Sequence, residues 1–220
     1  MSDGEGPGGP QRVIFHDYYA EIADGDVERF VAAQDLGRLV TVGDDGPHIG
    51  LYPFAYGPDR IEIHLVRTDE QIVDLRARPR CVFEVDEVLG VIPSYWVDPE
   101  NAIMATAYHR TVIFDCRAEV FEDVAALAEQ QGRLLGRYQP EGGFRPVTAA
   151  DPMYKGALNY LAAVRLTVGR TRVKFKLAQN RTPEARRRII AELRKRGRPA
   201  DARAAAALES TLGAGDASAL

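Results

Sequence analysis

Only two cysteines occur in the 220 residues, Cys81 and Cys116, inside the strand-like runs "RCVFEVDEV" and "TVIFDCRAEV". Neither belongs to a CxxC motif or a Cys/His cluster, so they read as reduced core thiols, not as a disulfide or zinc framework. Also missing are a Ser/His/Asp arrangement, a Walker loop, a GxGxxG fingerprint and zinc-ligand spacing, which removes the enzyme classes built on them. No apolar run approaches the ~20 residues of a membrane-spanning helix. The opening "MSDGEGPGGPQ" lacks a basic stretch and an apolar stretch, so residues 1–12 read as a disordered lead-in and not as a signal peptide. We therefore expect a soluble, cytoplasmic protein. Charge of one sign is scarce too: 28 basic against 32 acidic residues leave a net −4, too little to draw the chain to nucleic acid.

What is present is apolar alternation. With 45% hydrophobic residues the chain can bury one substantial core or two small ones, and we expect one domain with a C-terminal appendage. "DGDVERFVAAQD" spaces Val27, Phe30, Val31 and Ala33 as a helix, with Asp24 or Asp26 as its cap. "GRLVTVGDDGPHIGLYPFAYGPDRIEIHLV" then alternates and breaks at "GDDGP" and "GPD", which predicts three strands in a meander. "DEQIVDLRARP" forms a short helix, and "RCVFEVDEV" resumes the strand pattern.

After the aromatic "VIPSYW" comes a long β-rich run, "TAYHRTVIFDCRAEVFED", and then the helix "VAALAEQQGRLLGRY". "MYKGALNYLAAVRLTVGRTRVKFKL" reads as a short helix, a strand near "AAVRLTVGRT" and a second extended run, "RVKFKL". The helix "TPEARRRIIAELRKRG" is signed by Thr182 as N-cap, Pro183 at the first position and Gly197 beyond its end. The sum is mainly β: an antiparallel barrel of about six or seven strands with peripheral helices. We expect it to span residues 13–198, with 199–220 as a helical or disordered tail.

Several of these stretches, in order, resemble the landmarks of the PaiB-like family of FMN-binding negative transcriptional regulators. They are "LVTVGDDGPHIGLYPFAY", "IHLVRTDEQ", "VIPSYW", "TAYHRTVIFDCRAEV" and "KFKLAQNRTPEARRRIIAEL". The similarity covers residues 25 to 196, and "KFKLAQNR" is its most specific element. It implies the split β-barrel of the pyridoxamine 5'-phosphate oxidase superfamily, a homodimer and a small-molecule substrate. The chain departs from the family at "ATAY", Ala105 to Tyr108, where relatives carry Thr-Trp-Asn-Tyr, and at Thr68-Asp69-Glu70, where they carry Ala-Asn-Pro. These departures point away from a typical regulator.

The resemblance also implies site residues. Flavin members of the superfamily hold the FMN phosphate with a Ser/Thr and a Lys/Arg just after this strand. Here the turn supplies Arg67 and Thr68 but adds Asp69, Glu70 and neutral Gln71. Two carboxylates oppose a dianion, so haem b is our first choice and FMN the alternative. Haem-containing relatives, the piperazate synthases, form a nitrogen–nitrogen bond in an N-hydroxylated amino acid. By resemblance to them, His64 is the axial iron ligand and Arg67 pairs with a propionate; an imidazole on an apolar wall suits that task.

Tyr95 and Trp96 are candidates to line the cofactor, or else core aromatics. Lys174 and Lys176 alternate with Phe175 and are candidates to meet a propionate, a phosphate or the substrate. His109 with Tyr108 forms the candidate catalytic pair, although alternation favours His109 as an outward strand residue. His48 stays open as a loop or pocket residue, and Gln179 and Asn180 read as a turn into the next helix. "EARRRIIAELRKRGR" is the one basic stretch; with no helix-turn-helix pair around it, it reads as a solvated face. The expectation is a haem-dependent enzyme acting on an N-hydroxylated amine, with an FMN oxidoreductase or a regulator without turnover as alternatives.

Overall fold

The structure is a computed structural model, and it describes residues 22–213 except residues 24 and 58. The expected lead-in over residues 1–12 lies outside the described residues, as does Asp24, one of the two caps proposed for the first helix. That helix, α1 (Asp26–Ala32), starts from Gly25 in the left-handed region, φ 78°, with no side-chain cap. Asp26 does not cap it: it is already helical and pairs with Arg29.

The chain continues β1 (Leu36–Val42), β2 (Pro47–Pro53), β3 (Ala55–Tyr56), β4 (Arg60–Val66), α2 (Glu70–Ala77), β5 (Arg80–Ile92) and β6 (Thr106–Phe121). It ends α3 (Val124–Tyr138), α4 (Pro152–Tyr160), β7 (Leu161–Lys176), α5 (Pro183–Arg196) and α6 (Asp201–Glu209). The strands described form one seven-stranded sheet in the order β2-β1-β5-β6-β7-β4-β3. The fold is mainly β with peripheral helices, a split β-barrel.

Two details correct the sequence reading. The expected three-strand meander is instead two hairpins, β1 with β2 and β3 with β4, and β4 pairs along its length with β7, from Arg60↔Thr167 to Val66↔Leu161. Apolar alternation marks a strand but not its partner, and this partner lies a hundred residues away. The runs "AAVRLTVGRT" and "RVKFKL" are one strand, β7, continuous through Gly169.

Contacts divide the chain into two compact units. The larger holds residues 23–88 and 109–172; the smaller holds Ile22, residues 89–108 and the described residues from 173 onward. In the larger unit Leu39, Phe54, Ile61, Ile63, Phe83 and Val164 are fully buried, and Phe54 meets Phe83 edge to face at 5.3 Å. Gly37 is required there: a methyl group on it would lie 2.3 Å from the Phe83 ring. In the smaller unit Leu89, Ile92, Ile189, Ile190 and Leu193 form a core with Ala204, Ala205 and Leu208 of α6. The segment expected as a tail thus contributes a packed helix. Burial pushes both cysteine thiols up to about 12, as inert core positions do.

Candidate functional site

Strand β4 sends Ile61, Ile63 and Leu65 to one fully buried face, leaving Glu62 and His64 on the other. His64 stands opposite Ala163 of β7, so both side chains share that face. Ala163 packs with Leu127 and Ala128 of α3 and Leu158 of α4. The imidazole is therefore set on an apolar wall. Its Nδ1 is buried with no hydrogen-bond partner. Burial lowers the pKa of the ring, so the neutral, lone-pair-bearing form is favoured at neutral pH.

At the end of the same strand, Arg67 closes a seam. Its Nε donates to the carbonyl of Leu161 at 2.8 Å and its Nη2 to that of Glu122 at 3.0 Å, with the Glu122 carboxylate 3.6 Å from Nη1. Thr68 is exposed. Asp69 caps α2 by accepting from the Gln71 N–H at 2.9 Å.

Gln71 is 2% exposed and fully used: its amide donates to the carbonyls of Leu39 and His48 and to the Thr41 hydroxyl, and it accepts from the Tyr52 hydroxyl at 2.7 Å. Burial, with the charges of Asp69 and Glu70, pushes the Tyr52 phenol up to about 12. One helical turn on, buried Asp74 accepts from the Thr41 hydroxyl at 2.6 Å and lies 2.7 Å from His48 Nδ1, while Asp45 lies 3.1 Å from His48 Nε2. Against the cost of burial, the Thr41 and His48 hydrogen bonds hold the Asp74 carboxyl below its ordinary value, and Asp74 raises the pKa of His48.

Sequence reasoning missed this network. The i, i+3 spacing of Gln71 and Asp74 puts both on one helix face, but it names no partner until strand register sets Thr41 opposite His48. The network also decides what the turn after β4 can hold. An FMN phosphate needs cations or free N–H donors. The turn presents two carboxylates, an amide buried in other bonds and an arginine directed to carbonyls; Arg76 pairs with Glu122 and Arg78 with Asp44. A phosphate here would compete with Glu122 and Asp44 for Arg76 and Arg78, which sit in exposed pairs, and would meet Asp69 and Glu70.

A haem would place a different demand, a single neutral imidazole, because the porphyrin itself would supply the iron's remaining nitrogen ligands. Among the described residues no group of three His, Cys, Asp or Glu is placed to hold a bare metal ion. His64, alone and desolvated, fits the haem demand.

The remaining candidates divide between the units. In the larger, His109 is half-buried with Nδ1 3.1 Å from the Thr111 hydroxyl. In the smaller, Tyr108 is 2% exposed; consecutive on β6, the two side chains leave opposite faces of the strand. Trp96 is buried beneath the Arg196 guanidinium, 4.8 Å from its ring, and its carbonyl accepts from Arg188; it is a core aromatic, while Tyr95 is open to solvent. Phe175 is buried and Lys174 and Lys176 take the other face, as alternation requires. Lys176 donates to the Thr106 hydroxyl, and burial together with Lys174 and Arg181 lowers its pKa. Gln179 closes the turn expected of it, accepting from the Leu177 N–H at 2.7 Å beside Ala178 at φ 65°.

A family model described as a putative FMN-binding domain matches residues 14–170. No curated protein matches. Among solved structures, a conserved hypothetical protein of Mycobacterium tuberculosis is 24% identical with a TM-score of 0.53, over 70% of this chain and 86% of that one. The flavocytochrome Anf3 of Azotobacter vinelandii is 18% identical, TM-score 0.57, over 70% of this chain and 67% of its own. An FAD and heme binding protein of Mycobacterium smegmatis is 16% identical, TM-score 0.57, over 70% and 71%. At these identities the likeness is one of fold.

Proposed function

This chain belongs to the family of putative FMN-binding domains, and from that premise we propose that it is the haem-holding variant of the fold, acting on an N-hydroxylated amine or amino acid. The observation that carries the reading is His64: a neutral imidazole on an apolar wall, its Nδ1 buried without a hydrogen-bond partner. Support comes also from the turn after β4, where a flavin phosphate would meet Asp69 and Glu70 and compete with Glu122 and Asp44 for the nearby arginines. The fold itself takes both groups, since one structural neighbour is described as a flavocytochrome and another as binding FAD and heme.

When bound, the haem iron supplies a Lewis acid that makes an N–O oxygen a better leaving group. The chain's own residues do the rest. His64 holds the ligand position, and Arg67 fixes the end of β4 on which His64 sits. His109 is the half-exposed group able to hold or release a proton, while Tyr108, sealed in the strand's other face, packs. The finer reading, nitrogen–nitrogen bond formation in the manner of the piperazate synthases in a homodimer, rests on the sequence resemblance.

The test is an absorption titration of the purified protein with hemin, for wild type and His64→Ala. A Soret band that the substitution shifts or abolishes is the expected result. A flavin spectrum, or no response to hemin, overturns the reading.

A further inference from the structure

Glu62 is 2% exposed and lies within 3.8 Å of three guanidinium groups. Arg133 of α3 takes it in a bidentate pair, Nε to Oε2 at 2.6 Å and Nη2 to Oε1 at 3.0 Å, one charge-assisted bond to each oxygen. Arg60, two residues back on β4, and Arg165, directly opposite on β7, each bring Nε only to 3.8 Å, beyond hydrogen-bond range. Arg165 Nε is buried with no acceptor. Arg137, one turn beyond Arg133, stacks its guanidinium 4.7 Å over Phe54 and directs Nη2 to carbonyls at the end of α1. Arg60, Arg133 and Arg137 share one space with the Glu62 carboxylate, which leaves two positive charges in excess there. Glu28 and Glu129, which act on Tyr56 and Arg133, do so from exposed positions, where water screens them.

This excess surrounds a cavity. Tyr56 and Gly57 of the β3–β4 hairpin, with Arg60, Glu62, Arg133 and Arg137, enclose about 330 Å³, at the small end of ligand pockets. A structural ion cluster would match its charges; this one presents guanidinium donors beyond what Glu62 accepts, beside open space and an aromatic wall. We propose that the cavity binds a small oxyanion, the phosphate or carboxylate group of a small molecule, as a site separate from His64. Arg60, half-exposed at the cavity and held by no short bond to Glu62, is the mobile clasp; Arg133 is fixed by Glu62, which keeps its fork in place.

The two acidic and basic members give opposite expectations. In calorimetric titrations of the full chain, without hemin, against inorganic phosphate and pyrophosphate, one saturable site is expected, weakened by salt. Arg60→Gln weakens it by about tenfold or more, the loss of one charge-assisted contact. Glu62→Gln, which removes the competing carboxylate and keeps an acceptor for Arg133, tightens it. Arg170→Gln, outside the cavity, leaves it unchanged. Absence of saturable binding to wild type, or equal affinity in Arg60→Gln with an unaltered circular dichroism spectrum, overturns the proposal and leaves an internal ion cluster only. Because no haem enters the titration, its failure says nothing of His64, and the reverse holds too.

Discussion

Four groups converge on the Gln71 amide, and no water is needed to complete them: two strand carbonyls, the Thr41 hydroxyl and the Tyr52 phenol. Gln71→Leu keeps the volume and strips every partner, so buried acceptors and one donor lose their bonds. We expect a destabilisation of about 1–3 kcal/mol, read from urea denaturation midpoints. The adjoining His48–Asp74 pair gives a pH signature. His48 is raised from 6.5, so its contribution is complete below that value and fades as pH rises through its higher folded value. Asp74 is lowered from 3.8, so its contribution is present above that value and fades as pH falls through its lower folded value. The pair therefore supports the fold most between the two. In His48→Gln the decline of thermal midpoint just above pH 6.5 should disappear; an unchanged profile would dissociate the pair from stability. His64 could be singled out from sequence, because one histidine in an alternating run can be matched to a family, and the hemin titration is what tests its role. The Gln71 network could not be: each member is an ordinary polar residue until strand register and helix phase bring four segments together.

Helix starts carry a local signal, since a cap is written within a few residues; the sequence reading used it correctly at Thr182 but not at α1, which starts from Gly25. Asp69, Asp123, Asp151 and Thr182 each accept from a backbone N–H at the start of α2, α3, α4 and α5. Gly197 ends α5 at φ 64°, the left-handed position that glycine adopts without strain. Thr182→Ala should cost about 1 kcal/mol, and Thr182→Asp should retain most of it. Because Ile189, Ile190 and Leu193 of α5 are fully buried with α6, a second expectation follows for the same element: Leu193→Ala costs about 2–5 kcal/mol. Equal effects of the two alanine variants would mean that α5 docks by its cap and not by its apolar stripe. Strand partners were not legible. β4 pairs with β7, and nothing local in "RIEIHLV" names "LAAVRLT" as its complement. The small residues Ala162 and Ala163 are the only local hint, since they leave room for bulkier neighbours across the ladder.

For the whole molecule the question is whether the basic α5 faces a nucleic acid. Composition says that the chain as a whole does not attract one, at net charge −4. Local placement sharpens this. Arg188 donates to the carbonyls of Trp96 and Val97, Arg196 to Val91 and to both oxygens of Asp201, Arg186 to Thr211, and Arg194 pairs with Glu209. A guanidinium engaged with carbonyls of its own unit cannot give a phosphate the same donors without breaking them. The pair of Arg196 with the 2%-exposed Asp201 is the firmest, holding that carboxyl below its ordinary value. These arginines fasten α5 and α6 to the loop after β5, which explains a basic helix in an acidic chain without invoking DNA. The counterion argument then gives a number to test. A protein that neutralises several phosphates loses about 10³-fold or more in affinity between 50 and 200 mM salt. For this chain, fluorescence anisotropy with a labelled duplex should show only weak association at low salt and none at physiological salt, with Arg188→Ala lowering thermal stability while leaving that association unchanged. Tight, steeply salt-dependent binding lost in Arg187→Ala and Lys195→Ala together would place a phosphate-binding face on α5 and return the regulator reading.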